Sequence, residues 1–402
     1  MKVGILKETK TPPDKRVPLT PAQCAQVKAQ YPSIELVVEP SDIRKYRDEE
    51  YQQAGITLQY DLSDCDILIG VKEVKILTLI DGKTYLFFSH TYKEQEYNAE
   101  LLRTILNKKI RLVDYELIKD TNGKRLIGFG RYAGIVGCYN GFRTFGLKHG
   151  LYSLKKASDC EDRAEMEGEL SKVTLPSHMK VVLTGFGRVG HGAREIMALL
   201  PIEEVDADRF KSETFNHPVF THLDSGGYNR RSSDGGFDKS EFYTDPSAYE
   251  SFFMDFAEVS DMYVACHYWG EGSPFIFTRD DMKRPSWKVS VVADVSCDID
   301  GPVACTLRPS TIADPIYGYD PASESETDYK NQGAVAVMAV DNLPCELPKD
   351  ASEDFGNELI KNVFPHLFGN DEDGIIAGAS ETDLEGNLTP DFAYLEDYVA
   401  NA

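Results

Sequence analysis

The sequence predicts an α/β protein with two Rossmann-like, doubly wound parallel-sheet domains separated by an active-site cleft. Strands alternate with helices along the first third of the chain, and an apolar run at 181–184 leads into a Gly-x-Gly-x-x-Gly turn. The length of 402 residues also exceeds the size at which one hydrophobic core keeps growing. Because the glycine turn begins nearly halfway along, the first half forms a domain of its own.

The first half alternates short apolar runs with helical patterns. We expect helices over residues 21–30 and 96–106, and strands over residues 2–6, 34–38, 66–71, 85–88 and 110–113. Alternation of this kind is typical of a parallel sheet covered by helices on both faces.

The crossover between the predicted domains lies where the sequence becomes rich in glycine and aromatic residues, at 129–156. Its small residues permit close helix packing or a hinge. We therefore assign residues 1–140 to the first domain and residues 145–345 to the second. The helical pattern of residues 350–402 is expected to pack back on the first domain.

The second half begins with the strand before the glycine turn. Further strands are predicted over residues 202–206, 262–266, 289–295 and 334–340, the last completing a doubly wound sheet. The polar, glycine-containing stretches 224–238 and 321–333 are predicted to be loops.

Composition excludes several classes of function. A net charge of −23 opposes binding to nucleic acid or to anionic membranes, so an anionic substrate needs local cations. The eight cysteines contain no C-x-x-C pair and indicate reduced thiols rather than a metal site. The N-terminus lacks the apolar core of a signal peptide, and no stretch approaches 18 apolar residues. We therefore expect a cytoplasmic protein that binds neither membranes nor nucleic acid.

The glycine turn is formed by Gly185, Gly187 and Gly190, between a buried strand and a helical pattern. Such a turn lets backbone N–H groups and a helix N-terminus approach a pyrophosphate. It predicts a bound dinucleotide.

The acidic residue that binds the ribose hydroxyls stands about 20 positions beyond the first glycine in such sites. Asp206 lies at that distance, at the end of a predicted strand, although Asp208 and Asp224 are alternatives. The nearby Arg209 and Lys211 leave NADP open beside NAD.

Lys72 and His90 each follow a buried strand of the first half. The carboxyl ends of such strands are where open α/β sheets place functional residues. Either residue alone also fits a structural or solvated position, but their shared sheet edge favours acid–base catalysis. Arg16 and Arg125 supply guanidinium groups that suit a substrate with several carboxylates.

A family resemblance extends over nearly the whole chain. It is carried by KET at 7–9, RVPLTP at 16–21, GVKE at 70–73, FFSHTYKEQ at 87–95, DYE at 114–116, FGRYAG at 129–134, ADVSCDIDG at 293–301 and VDNLP at 340–344. With these motifs the chain resembles the alanine dehydrogenase and transhydrogenase superfamily. Within it, the chain is most similar to lysine-forming saccharopine dehydrogenases and lysine-ketoglutarate reductase domains.

The resemblance implies a reversible reaction in which saccharopine, NAD and water give lysine, 2-oxoglutarate and NADH. It implies that Lys72 is the base toward the secondary amine and that His90 is the acid–base group for water addition and carbinolamine collapse. The residues implied to line the substrate site are Arg16, Lys93, Glu116, Arg125 and Phe129. Those implied to meet the dinucleotide are Gly187, Arg188, Asp206, Tyr268, Val295, Asp341, Asn342 and Leu343.

Two alternative functions stay open at this point. An alanine dehydrogenase or an opine-forming enzyme of the same superfamily would share Lys72 and His90 and differ in the size of its pocket. A non-catalytic dinucleotide sensor would keep the fold without needing that pair. The expected partners are small amino acids and keto acids, and a homo-oligomer is left open.

Overall fold

The computed structural model describes residues 1–400. Its sixteen strands are β1 (Lys2–Ile5), β2 (Glu35–Val38), β3 (Thr57–Leu58), β4 (Ile67–Ile69), β5 (Thr84–Phe87), β6 (Arg111–Asp114), β7 (Lys180–Thr184), β8 (Glu203–Glu204), β9 (Val219–Leu223), β10 (Asn229–Arg231), β11 (Tyr249–Ser251), β12 (Met262–Ala265), β13 (Val291–Asp294), β14 (Ile316–Asp320), β15 (Ser325–Thr327) and β16 (Val335–Met338).

The α-helices of the described residues number thirteen. They are α1 (Pro21–Gln30), α2 (Asp48–Gln53), α3 (Ala99–Asn107), α4 (Gly130–His149), α5 (Arg163–Glu169), α6 (Arg188–Met197), α7 (Ala207–Ser212), α8 (Lys239–Thr244), α9 (Met254–Ala257), α10 (Arg279–Met282), α11 (Pro348–Glu358), α12 (Phe364–Leu367) and α13 (Glu396–Ala400). Within residues 1–400, no helix is both long and apolar enough to cross a membrane.

The chain divides into two compact units. Unit 1 contains Met1–Phe129 and the chain from Pro348 onward, and unit 2 is Gly130–Leu347. The sequence-based boundary at residue 140 falls inside α4, whereas the whole of that helix lies in unit 2. The reason is that the glycines of α4 pack directly against α6 of unit 2.

Unit 1 is built on a six-stranded sheet in the order β3-β2-β1-β4-β5-β6, with every pair parallel. Helix α1 has the predicted bounds and begins with a capping box in which Thr20 and Gln23 bind each other's backbone N–H groups. Apolar residues of the sheet and of the C-terminal helices form one core, including Phe355, Leu359 and Phe364. The predicted parallel α/β architecture of this half is confirmed.

Unit 2 carries an eight-stranded sheet in the order β15-β14-β16-β13-β12-β7-β9-β8. The strands from β16 to β8 pair in parallel, but β14 is antiparallel to both of its neighbours. The predicted doubly wound parallel sheet is therefore present from β16 to β8, and β14 and β15 extend it with an antiparallel edge. The stretches 224–238 and 321–333, predicted as loops, contain the short antiparallel strands β10 and β15.

Helices α4 and α6 approach each other at backbone distance. A Cβ atom on Gly134 would lie 1.8 Å from the carbonyl oxygen of Val189, and one on Gly192 would lie 2.0 Å from that of Arg131. Both distances are shorter than any side chain could tolerate, so glycine is required on each helix. The glycines of α4 therefore allow this helix to pack closely onto α6, the helix that follows the glycine turn.

We expect Gly134→Ala to lower the free energy of unfolding by about 1–3 kcal/mol, because the added methyl group forces the two helices apart. The matched control is Gly168→Ala in α5, where nothing lies within 4 Å of the new Cβ atom. This control should raise stability by about 0.5–1 kcal/mol, since alanine loses less backbone entropy in a helix. Urea denaturation of both variants measures the difference, and an equal response at the two positions would contradict the packing argument.

Candidate active site

The predicted functional residues of unit 1 follow three neighbouring strands. Lys72 comes after β4, His90 after β5 and Glu116 after β6. These strands are adjacent and parallel, so their carboxyl ends meet at one edge of the sheet. The fold thus places the side chains that sequence analysis singled out on a common rim.

The backbone at Lys72 is held by Glu8, the middle residue of the KET motif, for which the sequence predicted no role of its own. The buried Glu8 carboxylate accepts hydrogen bonds from the N–H groups of Val71 at 2.7 Å and Lys72 at 2.9 Å. Burial, reinforced by the charge of Asp14, raises the pKa of Glu8 to about 7. Glu8 therefore fixes the end of β4 from which the lysine side chain starts.

The ammonium group of Lys72 is destabilised by its surroundings. Burial is the main cause, and the nearby charges of Arg16 and Lys10 add to it, so the pKa of Lys72 lies below its ordinary value. A lysine with a lowered pKa is unprotonated more often near neutral pH, and in that form it can act as a base.

The imidazole of His90 lies between two carboxylates. Its Nδ1 is 3.3 Å from Oε1 of Glu73, and its Nε2 is 3.9 Å from Oε1 of Glu116. Burial alone would raise the pKa of Glu73, but hydrogen bonds from His90 and Lys10 lower it to about 2. Glu73 therefore stays ionised and orients the ring through Nδ1, which leaves Nε2 on the side of Glu116.

Glu116 collects the cations of the cluster. Lys93 Nζ lies 2.8 Å from its Oε2, Arg125 Nη1 lies 3.4 Å from its Oε1, and the Tyr92 hydroxyl donates a hydrogen bond to it. Burial opposes the charge of Glu116, yet Arg125, Lys93 and Tyr92 lower its pKa to about 2. Three of the predicted substrate residues, Lys93, Glu116 and Arg125, thus form one contact group.

Arg16 is a buried, fully oriented guanidinium group. It binds Asp14 in a bidentate manner, with Nε at 3.0 Å and Nη2 at 2.6 Å from the two carboxylate oxygens. Its guanidinium carbon lies 4.2 Å from the centre of the Phe129 ring, which stacks on Phe355 at 4.4 Å. Burial would raise the pKa of Asp14, but Arg16 lowers it to about 2. Arg16 and Phe129, both predicted for the substrate site, are therefore direct neighbours.

The glycine turn of unit 2 has the geometry that its spacing predicts. Gly185 has a φ of +100°, and a Cβ atom there would lie 2.1 Å from the Cys266 carbonyl oxygen. A Cβ atom on Gly190 would lie 1.7 Å from the Gly185 carbonyl oxygen. Gly187 is the N-cap of α6, and as a glycine it has no side chain to cap the first N–H groups of the helix. The space beside Gly187 is open. The start of α6, with Arg188 as its first residue, therefore offers N–H groups to an anion.

A cavity of about 380 Å³ adjoins this turn. Its wall includes Gly185, Gly187 and Tyr268 from the predicted set, together with Asp224 and Lys239. Asp224 directly follows β9, the strand that pairs with β7. Of the three acidic candidates for the ribose, it is Asp224 that lies beside the glycine turn.

Asp206 occupies a different position. It follows β8, which lies outside β9 at the edge of the sheet, and it caps α7 by accepting hydrogen bonds from the N–H groups of Asp208 at 3.1 Å and Arg209 at 2.9 Å. Sequence spacing pointed to Asp206 because β9 was not predicted. Its residues Thr221 and His222 interrupt the apolar run that would have revealed a buried strand.

The remaining predicted dinucleotide residues follow two adjacent strands. Val295 comes after β13, and Asp341, Asn342 and Leu343 come after β16. A Cβ atom on Gly137 of α4 would lie 2.4 Å from Val295 and 3.1 Å from Leu343. Both side chains therefore pack on the same glycine.

The wall of the cavity retains a polar atom without a partner. His267 is buried, with Nδ1 at 3.4 Å from Thr184 Oγ1 and 3.3 Å from the Tyr263 hydroxyl. Within the described part of the chain, its Nε2 has no hydrogen-bond partner. Burial lowers the pKa of His267 to about 4, so the ring is neutral. A buried polar atom beside an open glycine turn fits a polar ligand such as a dinucleotide.

Comparison with known proteins supports this description. Residues 4–136 match the family model for the alanine dehydrogenase/PNT N-terminal domain. The chain is 31% identical to the alpha-aminoadipic semialdehyde synthase of Arabidopsis thaliana, over 89% of this chain and 37% of that protein. It is 30% identical to the mitochondrial synthase of Rattus norvegicus, over 94% of this chain and 44% of that protein. The chain thus spans less than half the length of these relatives.

A shorter relative is aligned along most of its length. The lysine-forming, NAD-dependent saccharopine dehydrogenase of Yarrowia lipolytica is 25% identical, over 90% of this chain and 91% of that protein.

Solved structures share the fold over the whole chain. An L-alanine dehydrogenase superposes with a TM-score of 0.67 at 16% identity, covering 100% of this chain and 99% of that one. The transhydrogenase from Sinorhizobium meliloti gives a TM-score of 0.58 at 15% identity, covering 97% and 100% of the two chains. Residues 4–136 therefore match the family of alanine dehydrogenase/PNT N-terminal domains, and the whole chain shares the fold of these two solved structures.

Proposed function

We propose that the protein interconverts saccharopine, NAD and water with L-lysine, 2-oxoglutarate and NADH. The observation that carries this proposal is the pair formed by Lys72, with its lowered pKa, and His90, held between two carboxylates at the same sheet edge. The relative from Yarrowia lipolytica, named for this reaction, supports the choice of substrate.

The reaction needs two proton-transfer groups with different affinities for protons. Lys72 accepts the proton of the secondary amine, because burial and neighbouring cations already disfavour its charged form. His90 then removes a proton from water and returns it to the departing amine, while Glu73 holds the ring through Nδ1. A nicotinamide dinucleotide held by the glycine turn of unit 2 would supply the oxidising power, as the acceptor of the hydride.

The charge pattern around these two groups suits a substrate with three carboxylates. Lys93 and Arg125 both contact Glu116, so a substrate carboxylate can replace Glu116 as the partner of either cation. Arg16 differs because Asp14 and Phe129 already fix its guanidinium plane. It therefore offers a rigid donor, whereas Lys93 and Arg125 offer adaptable ones.

We infer that the dinucleotide is held by the cavity of unit 2. Gly187 and the first turn of α6 would receive the pyrophosphate, and Asp224 rather than Asp206 would bind the ribose hydroxyls. A carboxylate at this position favours NAD, because it would repel the 2′-phosphate of NADP. Lys239 in the same wall keeps NADP as the alternative cofactor.

A cytoplasmic location and a homo-oligomeric state are part of this proposal. The net charge of −23 and the cysteine pattern support the location. Sedimentation of the purified protein tests the oligomeric state, and fractionation of the source cells tests the location.

We expect Lys72→Met to lower turnover at least about a hundredfold, because a positioned acid–base group contributes roughly 10²–10⁴-fold. NADH binding should stay unchanged, since Lys72 belongs to unit 1 and the glycine turn to unit 2. The assay follows NADH absorbance with L-lysine and 2-oxoglutarate, and Lys75→Met, at an exposed lysine three positions later, is the matched control.

Two outcomes of this assay would contradict the proposal. Equal rates for Lys72→Met and Lys75→Met would show that Lys72 is not the base. Wild-type turnover no higher than that with pyruvate and ammonia would favour an alanine dehydrogenase instead.

We expect Asp224→Asn to weaken NADH binding by about tenfold or more, because a hydrogen bond to a charged group contributes about 1.5–3 kcal/mol. Asp206→Asn should leave the dissociation constant within about twofold, since asparagine also caps a helix well. Fluorescence titration with NADH measures both variants. A larger loss of NADH affinity in Asp206→Asn than in Asp224→Asn would instead assign the ribose to Asp206.

A further inference from the structure

Four buried side chains form a continuous chain of oxygen atoms in unit 1. Glu381 Oε2 lies 2.8 Å from Thr91 Oγ1, which lies 2.6 Å from Ser89 Oγ, which lies 2.6 Å from Asp114 Oδ2. The exposed fraction of each of the four residues is 0%. None of these four residues has a part in the mechanism above.

Glu381 reaches this position because the C-terminal segment lies along β6. The N–H of Glu381 donates to the Leu112 carbonyl at 2.8 Å, and the N–H of Asp114 donates to the Ala379 carbonyl at 3.1 Å. These bonds fix the register of the segment on the sheet. The side chain of Glu381 is thereby placed beside the turn that follows β5.

The distances require more protons than the two hydroxyl groups supply. Each of the three contacts is short enough for a hydrogen bond and needs one proton between its two oxygen atoms. Ser89 and Thr91 provide one hydroxyl proton each. The third proton must therefore reside on one of the two carboxyl groups.

Asp114 is unsuited to carry that proton, because its oxygens already accept several hydrogen bonds. Oδ2 accepts from the N–H groups of Ser89 at 2.7 Å and His90 at 3.0 Å, and Oδ1 accepts from the N–H of Glu116 at 2.6 Å. Burial raises the pKa of Asp114, but these donors oppose the shift because they stabilise its ionised form. In the described structure, the carboxyl oxygens of Glu381 contact only the hydroxyl oxygens of Ser89 and Thr91. Because no N–H group stabilises its ionised form, Glu381 is the carboxyl group that carries the proton.

We propose that Glu381 is a positioning residue held in its protonated form, and that its proton begins a directed chain through Thr91 and Ser89 to the Asp114 carboxylate. Asp114 in turn holds the backbone of His90, whose φ of 58° lies in the left-handed region. The role of His90 in this inference rests on the proposed function, whereas the protonation of Glu381 does not.

The charged groups around Glu381 agree with this assignment. Burial is the largest cause that raises the pKa of Glu381 to about 8, and the negative charge of Asp114 adds to it. The phenols of Tyr394 and Tyr398 also interact with Glu381, and both are acids whose pKa values are raised. Burial and Asp114 therefore disfavour a second negative charge at this position, and the neutral phenols add no charge of their own.

The expected dependence on pH follows from linkage. Between the ordinary carboxyl pKa of 4.5 and the folded value of about 8, the folded state binds a proton that the unfolded state has released. Stability from this group is therefore lost as the pH rises through that window. Glutamine at 381 keeps a donor toward Thr91 at every pH, so it should remove the loss.

The test compares the wild type with Glu381→Gln, Thr91→Val and the exposed control Glu385→Gln. We expect the urea midpoint of Glu381→Gln, relative to the wild type, to increase between pH 5 and pH 8 and then to level off. The control should show no such trend. A relative midpoint for Glu381→Gln that is flat, or that falls with pH, would overturn the proposal.

Infrared spectroscopy gives a second readout that needs no turnover. At pH 7 the wild type should show a protonated carboxyl band that Glu381→Gln lacks, so this band should appear in the difference spectrum between the two proteins. Loss of an ionised carboxylate band instead would show that Glu381 carries no proton and would overturn the inference.

The kinetic readout tests the positioning of His90. Thr91→Val removes the two 2.8 Å contacts of Glu381 and leaves it only the longer 3.1 Å contact with Ser89. It should lower kcat by about 10–100-fold with little change in KM, since small displacements of a catalytic group have effects of this size. Glu381→Gln should keep kcat within about twofold. Equal losses in the two variants would overturn the positioning role.

The stability and infrared readouts separate this inference from the proposed function. Absence of saccharopine turnover in the wild type, with the pH-dependent gain of Glu381→Gln still present, would reject the proposed function and support the protonated chain.

Discussion

The candidate site of unit 1 depends on buried carboxylates that bind backbone N–H groups where strands of the sheet end. Glu8 binds two N–H groups after β4, and Asp114 binds three, at Ser89, His90 and Glu116. An N–H group at a strand end has lost its ladder partner and costs free energy if it is buried unpaired. By satisfying these groups, the two carboxylates also fix the directions in which Lys72 and His90 leave the sheet.

Electrostatics give the second level of organisation. A protein with a net charge of −23 carries at this edge a group of cations, each close to an acid. The pairs with Asp14, Glu73 and Glu116 keep these acids ionised, with pKa values of about 2. An arrangement of preformed pairs allows a polyanionic substrate to bind by exchange of partners, without leaving cations buried alone when the substrate departs.

The sequence could predict the elements whose signal is local. The fingerprint glycines, the bounds of α1 and the strand ends at Lys72 and His90 all follow from short-range patterns. Strand β9 could not be found in this way, so the spacing favoured Asp206 for the ribose and kept Asp224 only as an alternative. Glu381 had no local signal either, because its partners Ser89 and Thr91 stand about 290 positions earlier in the chain.

The buried carboxyl groups also determine how the fold responds to pH. Burial raises the pKa of Asp294 to about 6, those of Glu8 and Glu346 to about 7 and that of Glu381 to about 8. Each of these groups keeps a proton in the folded state that the unfolded chain releases near its ordinary carboxyl pKa. Stability from them is lost as the pH rises from about 4 to about 8.

The acids with lowered pKa values act in the opposite direction and in another range. Asp14, Glu73 and Glu116 contribute stability that is present above the ordinary carboxyl pKa and is lost only toward pH 2. Near neutral pH only the acids with raised pKa values are still titrating. Their effect on the pH dependence of stability is therefore not offset there by the acids with lowered pKa values. Near pH 7 the titrating acids of unit 1 are therefore Glu8 and Glu381, whereas Asp14, Glu73 and Glu116 stay ionised and paired with their cations.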